Sequence, residues 1–221
     1  MTQIEQVQIP ILLPKRGKGH QEVMASFSVL TSKPIDPLTF IPIINTYANK
    51  TCIIVDTVDM SKRFLKTLSL DDVFISISFA YMLDRVSSQL SPTFFSLPCF
   101  YERSVGFSDK NSIAIGVKLP MQAFLGKPIS SSLTVKIEHP SNVFFEDIVD
   151  RVYKTLGAVL CPAVETKSLD QNPCYTPEET LKKLRGVFKE KKLGKGGSLQ
   201  VETMDLYHMY KLTYTTSWKN N

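Results

Sequence analysis

Histidine is scarce in this chain, and cysteine is scattered. The three histidines, His20, His139 and His208, stand far apart, and none lies at a catalytic spacing from a serine or cysteine. The four cysteines, Cys52, Cys99, Cys161 and Cys174, form no C-x-x-C pair. Neither a zinc site nor a disulfide framework is expected, and the thiols read as buried free residues of a reducing compartment. No apolar run reaches the ~18 residues that a membrane helix needs. The opening MTQIEQVQIPILLPKRGKGH carries its basic cluster after the apolar stretch. A secretory signal has the reverse order, so none is expected. No internal repeat and no low-complexity tract is visible. Carboxylates come as chain neighbours, Asp71 with Asp72 and Glu146 with Asp147, rather than as a spaced acid/base pair. Without a nameable set of nucleophile, base and charge stabiliser, the expectation is no enzyme, no cofactor and no metal.

The chain does have apolar content and localised charge. Its 221 residues are 43% hydrophobic and 21% charged, enough for a real core. Net charge is a modest +5, but residues 182 to 195 hold seven cations against one acid, Glu190. That segment outweighs the net charge of the whole chain. A second cluster, Lys15, Arg16 and Lys18, lies near the start. Concentrated positive charge on a near-neutral body points to an anionic polymer or surface. The Gly-Lys-Gly-Gly run at 194–197 does not fit a phosphate loop, because it follows a helical pattern instead of preceding one. It reads as a tight basic turn.

The pattern of elements predicts an α+β fold, a compact β-rich domain with antiparallel sheets and two or three helices packed against them. Residues 1–20 read as a flexible basic arm, with one domain over 21–221. Strands are expected at Glu22–Thr31, Thr51–Val58, Asp72–Leu83, Asn111–Leu119 and Ser131–His139, with one or two more closing the chain. Pro37–Asn49 reads as a helix capped by Asp36. A second helix is expected before Gly157, capped by Ser141 or Asn142, with Phe144, Phe145, Ile148, Val149, Val152 and Leu156 as its core stripe. The third opens on Thr176 as N-cap, Pro177 in the first position and Glu179 three residues after the cap, a capping box. Leu181, Leu184 and Phe188 form its apolar stripe. Lys182, Lys183, Arg185, Lys189 and Lys192, with Lys195 beyond, would present a positive plateau to phosphates of RNA or anionic lipid. Between Ser87 and Ser104 the prolines break any periodicity, and the segment reads as an apolar loop. Phe94, Phe95, Leu97, Phe100 and Tyr101 are its candidates for a self-association patch.

In this order of elements the chain resembles a rhabdovirus matrix protein. The segments KRGKGH, EVMASFSVLTSKPIDP, LTFIPIINTYAN and TCIIVDTV follow the family's arm, strand, helix and strand. SKRFLKTL is similar to its basic-aromatic segment, SPTFFSLPCFY to its mobile self-association loop, and LKKLRGVFKEKKLGKGGSLQVETM to its last basic helix and strand. No Pro-Pro-x-Tyr or Pro-Thr-Ala-Pro motif occurs, and Tyr153–Leu156 fits Tyr-x-x-Leu only inside a helix. The resemblance implies a non-enzymatic viral structural protein that self-associates, binds the nucleocapsid or RNA and an anionic membrane, meets a glycoprotein tail and supports budding. It would lie beneath the envelope of the virion and in the host cytoplasm, at membranes or in the nucleus. The alternatives are a plant-virus movement protein or other β-rich RNA-binding protein, and a small enzyme of unrecognised type.

Overall fold

The structure is a computed structural model that describes residues 1–17, 19–85, 93–107, 111–156, 175–191, 193–205 and 210–220. Eight strands and four helices follow in the order β1 (Thr2–Pro14), β2 (His20–Thr31), α1 (Pro37–Asn45), α2 (Asp56–Thr67), β3 (Val73–Arg85), β4 (Thr93–Val105), β5 (Ser112–Phe124), β6 (Pro128–Glu138), α3 (Phe145–Leu156), α4 (Pro177–Lys191), β7 (Gly196–Asp205) and β8 (Tyr210–Lys219). Sheet order is chain order. The chain divides into two compact units, Met1–Ile115 and Gly116–Asn221. The same sequence of elements, two strands, two helices and two strands, is run through twice. A repeat is therefore present at the level of elements, although none is visible in the residues.

In the first unit, alternation makes each strand two-faced. Val23, Ala25, Phe27 and Val29 of β2 are buried, as are Val73, Ile75, Ile77, Phe79 and Tyr81 of β3. Register lines them up: Phe27 opposes Ile77, which opposes Tyr101 of β4. Ser26, Ser28, Ser76 and Ser78 fall between them on the other face and keep solvent contact. The helices cover the apolar face. Phe40 of α1 stacks on Phe64 of α2 with ring centroids 5.0 Å apart, and α2 packs on β3 and β4.

The second unit repeats the arrangement. Leu133, Val135 and Ile137 of β6 lie opposite Val201, Leu199 and Gly197 of β7. Phe145, Ile148, Val149, Val152 and Leu156 of α3 are buried, with Leu181, Leu184 and Phe188 of α4. Phe188 stacks on Trp218 of β8 at 5.5 Å. The capping box forms as the sequence requires. The Glu179 N–H donates to Thr176 Oγ1 at 3.2 Å, and the Thr176 N–H donates to Glu179 Oε2 at 2.9 Å. Gly197, at the start of β7, has a packing reason to be glycine. A Cβ there would collide with the Lys136 carbonyl and the Trp218 ring.

Several expectations are corrected. The expected N-terminal arm is strand β1, hydrogen-bonded to β2 from Thr2 to Pro14, so residues 2–14 are not a tail. The expected strand Thr51–Val58 gives way to helix at Asp56, whose carboxylate accepts the Ile53 N–H at 2.7 Å. The expected loop is largely strand: from Thr93 onward β4 pairs with β3 residue for residue, through Pro98 opposite Ala80. A proline withholds one N–H only, and an antiparallel strand aims only alternate residues' hydrogen bonds at a given neighbour. Helix α3 begins at Phe145, too late for Ser141 or Asn142 to cap it, and Asp147 reaches back to accept the N–H of Phe144, just before the helix, at 2.9 Å. The α+β class stands, with antiparallel strands dominant and four helices instead of two or three.

Gly197→Ala is expected to cost about 1–3 kcal/mol through overpacking. Thr176→Ala should cost about 1 kcal/mol through the lost cap. Urea denaturation should show both as a lowered midpoint with an unchanged slope.

Candidate functional site

Burial of Leu181, Leu184 and Phe188 turns the opposite side of α4 outward. Lys182, Lys183, Arg185 and Lys189 are all exposed. Lys183 sits over the Tyr175 ring, its Nζ 4.6 Å from the centroid. Lys182, Arg185 and Lys189 instead line an open groove of about 440 Å³, together with Glu178, Leu181, Gly186 and Thr215 and Thr216 of β8. Lys195 is exposed in the turn after α4, where its N–H donates to the Glu138 carbonyl at 2.9 Å. Lys192 lies outside the described residues. Lys15 and Arg16 belong to the β1–β2 turn of the first unit, closed by the Lys15 N–H donating to the Gly19 carbonyl at 2.8 Å, and Lys18 lies outside the described residues. Of the self-association candidates, Leu97 and Tyr101 are core residues, 5% and 4% exposed, and Phe100 is half-buried. The side chains of Phe94 and Phe95 lie outside the described residues.

The first unit holds a polar network that the sequence reading missed. Asp59 on α2 accepts Arg63 Nε at 2.8 Å and the Tyr47 hydroxyl at 3.0 Å through the same oxygen. Arg63 lies over the Tyr47 ring, 5.7 Å from the centroid. Burial first, then the bond to Asp59, push the Tyr47 phenol well above its ordinary value, so it remains a donor. Beside this network, Thr39, Pro42, Ile43, Thr46, Arg63 and Thr67 line a second groove of about 440 Å³. The missed signal was helical: Asp56 and Asp59 stand in a first turn, Met60 and Phe64 four apart behind them, and Lys66 closes the last turn. Cys52 is buried nearby, and burial followed by the Asp56 charge pushes its thiol up to about 12. That thiol is inert. Cys99 is also buried, whereas Cys161 and Cys174 lie outside the described residues.

On the helix-free face of the second unit, Glu202 of β7 bridges two cations. Lys118 of β5 reaches Glu202 Oε2 at 3.0 Å and Lys211 of β8 reaches Oε1 at 2.6 Å. Gln200 Nε2 also donates to Oε1 at 3.0 Å. The hydrogen bonds from Lys211 and Lys118 hold the carboxyl well below its ordinary range, at about 2. Among the described residues, no three of His, Cys, Asp and Glu come together as a metal site.

No protein family's sequence model matches the chain, and no curated protein matches it. Solved structures do. Urate oxidase from Bacillus sp. TB-90 superposes with a TM-score of 0.58 at 9% identity, over 100% of both chains. Uricase from Arthrobacter globiformis gives 0.57 at 8% identity, over 100% of this chain and 94% of that one. Uricase from Bacillus fastidious gives 0.57 at 10% identity, over 99% and 94%. Likeness at such identity shows the fold. It overturns the resemblance to a rhabdovirus matrix protein, and with it the reading as a viral matrix and budding protein. The expectation of a non-enzymatic chain falls too, since the neighbours with this fold are oxidases by name. Order of elements misled here because an arm, a strand and a loop were each assigned where the structure has β1, α2 and β4.

The Glu202 network sets an acid response. Folding lowers this carboxyl from 4.5 to about 2. Its stabilisation is therefore complete above the unfolded value and is lost as pH falls through the folded one. Urea melts taken across that window should show the wild type losing stability more steeply with acid than Glu202→Gln. Equal slopes would show that the two lysines do not hold Glu202 ionised.

Proposed function

We propose that this chain is an enzyme built on the urate oxidase fold, acting on a small planar nitrogen heterocycle of the urate kind. The observation that carries the reading is the match of the whole chain to urate oxidases, with the same fold from end to end. The groove between α1 and α2 supports it. Pro42 and Ile43 offer an apolar floor to the face of a flat ring, and Thr39, Thr46 and Thr67 offer hydroxyls at its margin. Arg63 presents a planar fork of N–H donors that suits ring carbonyls and oxyanions. Asp59 holds that fork in place. A positioned guanidinium facing an apolar floor is how a flat anion is both bound and oriented.

The experiment follows urate absorbance together with oxygen uptake by the purified chain. Loss of urate matched by oxygen consumption is expected. Arg63→Ala should raise KM by about tenfold, the cost of one charge-assisted hydrogen bond. Asp59→Asn should give a smaller rise, because the fork remains but is less fixed. Absence of both urate loss and oxygen uptake would overturn the oxidase reading. Full activity in Arg63→Ala would remove the α1–α2 groove as its seat.

A further inference from the structure

The groove between α4 and β8 has no part in that reading, yet its composition is not that of a passive surface. Its three cations recur at i, i+3 and i+7, so they share one stripe of the helix about 10 Å long. All three are exposed, and none makes an ion pair among the described residues. Acids three or four residues away can pair with cations on a helix face. Arg185 and Lys189 have none at that spacing, and Lys182, which has Glu178 and Glu179, pairs with neither; Glu178 is the one acid on the lining, at the helix's N-terminal end.

Gly186 is the second observation. It lies mid-helix, beside Arg185, where glycine is a poor choice. No packing demands it: a Cβ built there meets nothing within 4 Å, and φ is not in the left-handed region. The glycine leaves the wall of the groove bare beside Arg185, between Lys182 and Lys189 along the helix. A bare wall lets a ligand approach the helix more closely than any side chain would permit. Across the groove, the hydroxyl-bearing residues Thr215 and Thr216 of β8 form the other wall.

We propose that this groove binds a small ligand bearing two or three phosphoryl groups, held by Lys182, Arg185 and Lys189. Its volume of about 440 Å³ fits a molecule of nucleotide size. Glu178 repels phosphate from its own end of the groove, so the phosphates centre on Arg185, between Lys182 and Lys189. The end facing Glu178 carries amino or hydroxyl donors. The inference does not depend on the oxidase reading, which uses a different groove in the other unit.

Lys183 supplies the internal control. It has the same charge on the same helix, but it lies over Tyr175 and does not line the groove. Calorimetric titration of the full chain would use pyrophosphate, a nucleoside triphosphate and a short single-stranded RNA as separate probes. The triphosphate is expected to bind most tightly, pyrophosphate more weakly. Lys182→Ala, Arg185→Ala and Gly186→Leu should each weaken triphosphate binding by about tenfold or more, through lost charge or a filled wall. Lys183→Ala should leave it within about twofold, as screened surface charge allows. Gly186→Leu raises helix propensity, so an unchanged or higher Tm by circular dichroism would separate lost binding from lost folding. Equal losses in Lys183→Ala and Lys182→Ala, with Gly186→Leu binding as the wild type, would overturn the site in favour of diffuse surface charge. RNA bound more tightly than the triphosphate, with Lys183→Ala impaired, would overturn it in favour of a nucleic-acid surface. No heat with any probe would also overturn it.

Discussion

A sheet with one apolar face has to be covered, and each half of this chain meets that requirement in the same way. Strand alternation puts Phe27, Ile77 and Tyr101 on one side in the first unit, and Leu133 and Val201 in the second. Such faces cannot remain in water. Two helices inserted between the strand pairs supply the cover. Phe40 and Phe64 complete the layer in one unit, Phe188 and Trp218 in the other. The doubled order of elements therefore follows from a single packing problem solved twice, with no need for similar residues at matching positions. Dissimilar sequences can share this fold for the same reason, which fits a likeness to uricases at 8–10% identity.

Once packing has used one face of each element, the other faces are left for chemistry. On α4 the buried stripe fixes which cations point outward, and Tyr175 then takes Lys183 out of the set that meets the groove. On α2 the burial of Met60 and Phe64 leaves Asp59 and Arg63 side by side, one turn apart. On β7 the burial of Leu199, Val201 and Thr203 puts Gln200 and Glu202 on the helix-free side, where lysines of two other strands reach the same carboxylate. None of these groupings is contiguous in the chain.

That separation explains what the sequence does and does not disclose. Local signals were legible: the reciprocal Thr176–Glu179 cap, the Asp36 cap, the alternation of β3 and the apolar stripes of α3 and α4 all occur where the residues place them. Competing signals were not. The β-branched run at Thr51–Val58 favours a strand locally, yet Asp56 and Asp59 begin a helix whose stripe lies further on. In β4 the prolines and aromatics concealed an alternation of Leu97, Cys99 and Tyr101 that is plain once β3 lies beside it. The basic character of α4 could be read from composition. Its division between a groove and a tyrosine ring depends on β8 and on Tyr175, which only the folded chain brings near.

The close seating of Gly197 against the Trp218 ring has an optical consequence. Trp218 is the chain's one tryptophan, 5% exposed and stacked on Phe188 of α4. The indole emission of the whole molecule therefore originates at the place where α4 rests on the sheet of the second unit. Loosening that helix would wet the ring and shift its emission to longer wavelength. One intrinsic fluorophore thus reports the seating of α4 without a label.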